Sequence, residues 1–216
     1  MKHIAIVLLI SGLFSTTASA DNKLTLGGTV VKDSSAVLTT GFDHSKEYGR
    51  WQHAIEGNYI YNEKNQVRTR NEGYFMFKEN YELNEKNYVL GSVRYDYDEF
   101  RVDQSSARSI LGVGHGYKLI RTDRMKMSNE LSVGQMRQNS DWESVVTNSL
   151  WMSYKVAQRV TFSNKLLVDW ANETYVRNRT ELSYQFDEGF IVSVNNLYTK
   201  DPVPDNVTSF NIGTRF

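Results

Sequence analysis

The 216-residue chain contains no cysteine. That absence excludes a disulfide framework, a thiolate metal site and a cysteine-borne lipid anchor, so backbone pairing and side-chain packing must hold the fold. Proline appears only twice, which leaves long stretches free of the residue that breaks strands. Neither sign of charge dominates, with 25 Lys and Arg against 25 Asp and Glu; the balance gives no electrostatic prompt toward nucleic acid, and no nucleic-acid partner is expected. After residue 20 no apolar run approaches the roughly 20 residues that a membrane helix needs.

What is present begins with an export signal. Lys2 and His3 precede the apolar run Ile4 to Ile10 and the small-residue string Ser15 to Ala20. The apolar core is too short for a membrane anchor, and Ala18-Ser19-Ala20 matches the small-residue site that signal peptidase cuts. The expectation is a cleaved signal peptide over 1–20 and a mature domain over 21–216, with a formal charge of about minus one after loss of Lys2.

From Lys23 onward apolar residues recur at every second position, the period of a strand with two unlike faces. Trp51, His53, Ile55, Gly57, Tyr59 and Tyr61 stand against Gln52, Ala54, Glu56, Asn58, Ile60 and Asn62. Val89, Gly91, Val93, Tyr95 and Tyr97 likewise oppose Leu90, Ser92, Arg94 and Asp96. Continued to the end, the pattern predicts about twelve strands and no helix. The connections are expected to alternate: short at Leu83 to Lys86, Thr122-Asp123, Ala157-Gln158 and Asp187 to Gly189, longer at Asp98 to Gln104, Gln138 to Asp141 and Thr199 to Asn206. Lys32-Asp33 and His44 to Tyr48 break that parity, one too short and one slightly long.

Strand length, aromatic residues near strand ends and the export signal favour a barrel in lipid over one in water. The expected fold is all-β: a closed antiparallel transmembrane up-and-down barrel. Closure follows because lipid offers a strand edge no hydrogen bonds. Phe210, Ile212, Gly213 and Phe216 lie in a final alternating strand ending in an aromatic residue, resembling the signal read by barrel-assembly machinery. The outer membrane of a Gram-negative bacterium is therefore the expected location. Outer-membrane lipid, the assembly machinery and periplasmic chaperones are the expected partners.

A family resemblance is carried by Arg94-Tyr95-Asp96-Tyr97-Asp98, by Gly112-Val113-Gly114-His115-Gly116-Tyr117 and by the turn Thr122-Asp123. These resemble the pattern of the putative salt-induced outer-membrane proteins, family 481 among the domains of unknown function. Asp201-Pro202 and the last strand also fit, whereas Gln135 to Asp141 lacks an expected Gly-Tyr-Arg-Glu-like element. The resemblance implies the barrel fold and carries over no catalytic residue.

The glycines at 112, 114 and 116 alternate with Val113, His115 and Tyr117 inside a strand, so they are not a phosphate loop; a narrow lumen or sharp curvature suits them better. His53 and His115 fall on outward faces and His44 in a turn, with no nucleophile and base paired within a strand. No catalytic residue, cofactor or metal is expected. The face opposite the apolar one carries Arg68, Arg70, Glu72, Lys78, Arg94, Asp96, Arg108, Lys126, Glu130, Lys165, Asp169, Arg177, Arg179 and Glu181 as candidate lumen residues. Three functions follow in order: a small passive pore with weak anion preference from the excess of basic groups; a plugged structural or salt-stress barrel; and a lipid-modifying enzyme.

Overall fold

The computed structural model describes residues 20–31, 35–64, 67–100, 107–186, 189–201 and 203–215. The expected signal peptide, except Ala20, and Phe216 lie outside them. Twelve strands form: β1 (Ala20–Val31), β2 (Ser35–Tyr48), β3 (Trp51–Lys64), β4 (Val67–Glu82), β5 (Asn87–Asp98), β6 (Ala107–Arg121), β7 (Met125–Gln138), β8 (Asp141–Ala157), β9 (Val160–Trp170), β10 (Thr174–Gln185), β11 (Phe190–Asp201) and β12 (Val203–Arg215). Each pairs antiparallel with its chain neighbours, and β1 pairs with β12 to close the barrel. The start of β1 and the end of β12 share one rim, the terminal end; the opposite rim is the loop end.

The outward face is the apolar one. Leu111, Val113, Leu131 and Val133 are all more than half exposed, and Val113 lies directly opposite Val133 across the β6–β7 ladder. Aromatic side chains ring both rims: Tyr48, Trp51, Tyr154, Tyr184, Phe186 and Phe190 at the terminal end, and Tyr59, Trp142 and Trp170 at the loop end. An apolar band between two aromatic girdles is the surface that a bilayer solvates. Phe210 and Ile212 stand on this lipid face, 60% and 57% exposed. A Val113→Arg substitution is expected to lower the unfolding free energy by about 2–4 kcal/mol, and Ser109→Arg nearer the rim by under about 1 kcal/mol. Urea titration of the barrel in phospholipid measures both; equal, small costs would reject a lipid-facing band.

Three turns differ from the sequence expectation. His44 to Tyr48 is strand, and the turn is Gly49-Arg50, because Gly49 takes a φ of +59° that lets Tyr48 pair with Trp51. This places His44 inside β2 rather than in a turn. Gln138 to Asp141 is not a long loop: Asn139 and Ser140 take φ of 51° and 72°, the two positive values that a tight hairpin needs, and Gln138 pairs with Asp141. Thr199 to Asn206 is ladder as far as Asp201 opposite Val203, with Pro204 opposite Lys200. Among the described residues the β1–β12 ladder runs from Lys23 and Arg215 to Gly28 and Phe210, and Pro204 lies beyond it, where a missing backbone donor is tolerated.

The barrel is flattened, and glycines set where it bends. A Cβ on Gly134 would stand 2.1 Å from the carbonyl oxygen of Leu111, and one on Gly213 2.2 Å from that of Leu24. Both glycines let adjacent strands turn sharply against each other, at the β6–β7 and β12–β1 seams. Those seams are half the ring apart. Two sharp corners at opposite ends bring the walls between them together, so β3 and β4 face β9 and β10 across the short axis. Small apolar clusters fill the corners: Ile110, Met136 and Val145 in one, Ile60, Leu197 and Val207 in the other.

Candidate functional site

The flattened lumen is crossed by side chains from opposed walls. Glu56 on β3 accepts a hydrogen bond from Lys165 on β9, half the ring away. Arg179 on β10 reaches Glu56 at 3.7 Å, Glu181 at 3.4 Å and Asp43 at 4.0 Å, while Lys23 pairs with Glu181. Strand alternation places these groups inward, and the narrow axis makes a lysine and a glutamate long enough to meet.

Toward the loop end lies a tighter network. Arg94 binds Asp96 through Nε at 3.1 Å and forms a two-pronged contact with Asp169, its Nη1 arm at 3.3 Å. Arg108 donates to the same Asp96 oxygen from Nη2 at 3.2 Å, and Thr147 donates to Asp169 at 2.6 Å. Arg94, Asp96 and Arg108 are 3–4% exposed and Asp169 1%. The Tyr175 ring lies 4.1 Å from the Arg108 guanidinium, and the Tyr74 ring 4.0 Å from that of Arg177. Cations of this shape are stabilised over an aromatic face.

Toward the terminal end Lys78 donates to Glu130 at 2.6 Å, as does the Tyr88 hydroxyl at 2.7 Å. Between this pair and the Arg94 network is a cavity of about 30 Å³. The hydroxyls of Ser92, Ser132, Thr147 and Ser149 share its lining with Gly112, Gly134 and the apolar side chains of Met76, Leu90, Ile110, Val145 and Leu167. The space suits one or two waters among hydroxyl groups. Two ion-pair barriers thus bracket a chamber of mixed hydroxyl and apolar lining.

The candidate lumen residues distribute as follows. Arg94, Asp96, Arg108 and Asp169 form one network, Lys165, Arg179 and Glu181 a second, and Lys78 and Glu130 the terminal-side barrier. Arg70 and Glu72 pair at 2.7 Å near the loop end, where Arg70 also meets Asp205 at 2.9 Å. Arg177 lies between the networks. Lys126 is exposed near the terminal rim, at the start of β7, rather than inside. Arg68 lies on β4, but its side chain is outside the described residues.

Among the described residues the inner wall also carries carboxylates beyond the candidates. Asp43, Glu56, Glu82 and Asp205 join it and pair with Arg179, Lys165, Lys118 and Arg70. Glu56 was legible from the alternation of β3, whereas Tyr74 and Tyr175 were not, since an aromatic residue on a strand reads equally as lipid-facing. His53 and His115 stand on the outward face, and His53 Nδ1 lies 2.8 Å from Glu79 Oε1.

Solved structures of similar fold include the NanC porin, with a TM-score of 0.55, 11% identity, and coverage of 92% of this chain and 99% of that one. A COG4313 outer-membrane channel from Pseudomonas putida F1 aligns with a TM-score of 0.53 and 11% identity over 94% and 97% of the two chains. The translocator domain of the autotransporter NalP from Neisseria meningitidis aligns at 0.50 and 11% over 100% and 94%. At such identity the likeness shows the fold, an outer-membrane β-barrel, and the three differ in role. No curated protein matches by sequence. The sequence motifs, the closed twelve-stranded barrel and a family model matching residues 32–216 agree: the chain belongs to the family described as Protein of unknown function, DUF481.

Proposed function

We propose that this protein is a narrow passive channel for small hydrophilic solutes, exported with cleavage after Ala20 and folded into the outer membrane by the barrel-assembly machinery. The observation that carries the reading is the small chamber, with four hydroxyls in its lining, between two ion-pair barriers made of side chains rather than backbone. The porin and channel named among the similar structures support it by analogy of fold. The reading includes no enzymatic step.

The test is single-channel conductance in a planar bilayer. The parent barrel should show small conductance steps, and Lys78→Ala combined with Glu130→Ala should raise them several-fold, since removing both partners opens the terminal-side barrier without stranding a charge. A parent and double variant that both fold and both stay silent would overturn the channel. That outcome would favour a closed barrel acting in the envelope through its surface, the reading that the cross-lumen pairs Glu56–Lys165 and Arg94–Asp169 support.

A further inference from the structure

The tyrosines that point into the lumen are buried and engaged. Tyr74 and Tyr175 lie against the guanidinium groups of Arg177 and Arg108, the Tyr88 hydroxyl donates to Glu130, and each of the three is 4–5% exposed. Trp151 is different. On β8 it follows Ser149 in the inward series, and the ladders set it between Ser128 on β7 and Lys165 on β9. It is 37% exposed, and among the described residues neither its ring nor its indole N–H has a partner. The other tryptophans, Trp51, Trp142 and Trp170, stand on the lipid face in the aromatic girdles. An indole left open to water inside the barrel forgoes the apolar burial and the N–H hydrogen bond that normally stabilise such a residue.

Its surroundings are hydroxyl groups. Ser149 and Ser153 flank it along β8, Ser128 lies beside it on β7, and Ser163 is one inward position from Lys165 on β9. The charges at its level are matched, Lys165 with Glu56 and Glu130 with Lys78. Those pairs present donors and acceptors without net charge, so they do not select an ion, and serines do not build the apolar walls that a lipid chain needs. A flat apolar face edged by hydroxyls and paired charges matches a pyranose ring, which has a face of C–H bonds and a rim of hydroxyl groups that both donate and accept. We propose that Trp151 is the stacking platform of a lumen binding site for a neutral oligosaccharide, with Ser128, Ser153, Ser163 and the Lys165–Glu56 pair meeting the sugar hydroxyls. The site lies on the terminal side of the small chamber, whose lining on β8 ends at Ser149. The inference rests on the channel reading for the entry of solute into the lumen and deepens it by naming the class of solute.

Isothermal titration calorimetry of the purified, folded barrel with maltohexaose, cellopentaose and N-acetylchitohexaose tests the site. At least one sugar should give a saturable heat in the parent. Trp151→Ala should weaken its binding by about tenfold or more, the effect of truncating an aromatic anchor, and Trp151→Phe by less. Trp142→Phe, on the lipid face, should bind like the parent. In a barrel carrying Trp51→Phe, Trp142→Phe and Trp170→Phe, the emission of Trp151 should shift with the same sugar and saturate over the same concentrations. That measurement leaves position 151 unchanged and so stands even where Trp151→Ala does not fold; heat-modifiable migration shows which variants do. A folded parent that binds none of the three sugars, a folded Trp151→Ala barrel that binds like the parent, or a Trp151 emission that stays constant while sugar binds overturns the proposal. Conductance separates this result from the channel reading: a silent barrel with Trp151-dependent binding keeps the site and loses the channel. A conducting barrel without binding keeps the channel and loses the site.

Discussion

Replacing Asp96 by alanine is expected to lower the unfolding free energy of the barrel by about 3–5 kcal/mol, the cost of removing one partner from a buried charge network. Asp96 holds both Arg94 and Arg108, and each of those guanidinium groups is 4% exposed or less. Without Asp96, Asp169 still meets Arg94, while Arg108 keeps the Tyr175 ring. An aromatic face does not replace a carboxylate; exposed cation–π contacts are worth about 0.5–1 kcal/mol and desolvated ones about 2. Adding Arg108→Met to Asp96→Ala removes a buried cation that has lost its Asp96 carboxylate and should recover part of the loss. Urea titration followed by tryptophan fluorescence, with heat-modifiable migration as a second probe, gives the values. A loss under about 1 kcal/mol would place these groups in the range of water-screened surface pairs. It would mean that the lumen is wet at that level, so the same measurement reports on how closed the loop-side barrier is.

The second large effect is steric. Gly134→Val should prevent the chain from reaching the heat-modifiable folded form, whereas Gly112→Ala on the paired strand should fold normally. The two glycines lie opposite each other across the β6–β7 ladder, yet their surroundings differ. A Cβ at 134 would meet the Leu111 carbonyl oxygen at 2.1 Å, and backbone cannot step aside as a side chain can; at 112 the nearest atoms are the Ser92 and Ser132 hydroxyls, at 3.5 and 3.6 Å. Core overpacking ordinarily costs about 1–3 kcal/mol. Here the strain falls on a corner that sets the shape of the whole ring, so the cost spreads to the cross-lumen contacts that the flattening creates. Refolding yield on a gel checks both variants. Efficient folding of Gly134→Val would show that the β6–β7 corner can relax and that the flattened section is not fixed by it.

Both predictions show where the sequence stops being informative. The period of two along β3, β5 and β6 determined which residues face lipid and which face inward, because side chains of a strand must alternate and the lipid side admits little but apolar groups. Val113 outward and Arg94 inward follow from that rule alone. The same rule put Glu56 and Asn58 on the inner face before any partner was known. Strand number and closure followed as well, since a strand edge in hydrocarbon has no hydrogen-bond partner. Turn lengths were less legible: Asn139-Ser140 reaches a tight hairpin through positive φ at two residues that are not glycine, and Pro204 sits in the β11–β12 ladder rather than in a long loop.

What the sequence determined by itself is therefore the kind of surface on each side of the wall and the membrane that such a wall requires. Alternation is local, and each strand carries it independently of the others. The tertiary structure alone decided which inward groups meet. Lys165 finds Glu56, and Arg94 finds Asp169, because the closed ring brings β3 within side-chain reach of β9, and β5 likewise. Pairing across a lumen depends on the distance between walls, a property of the closed ring that no stretch of sequence contains.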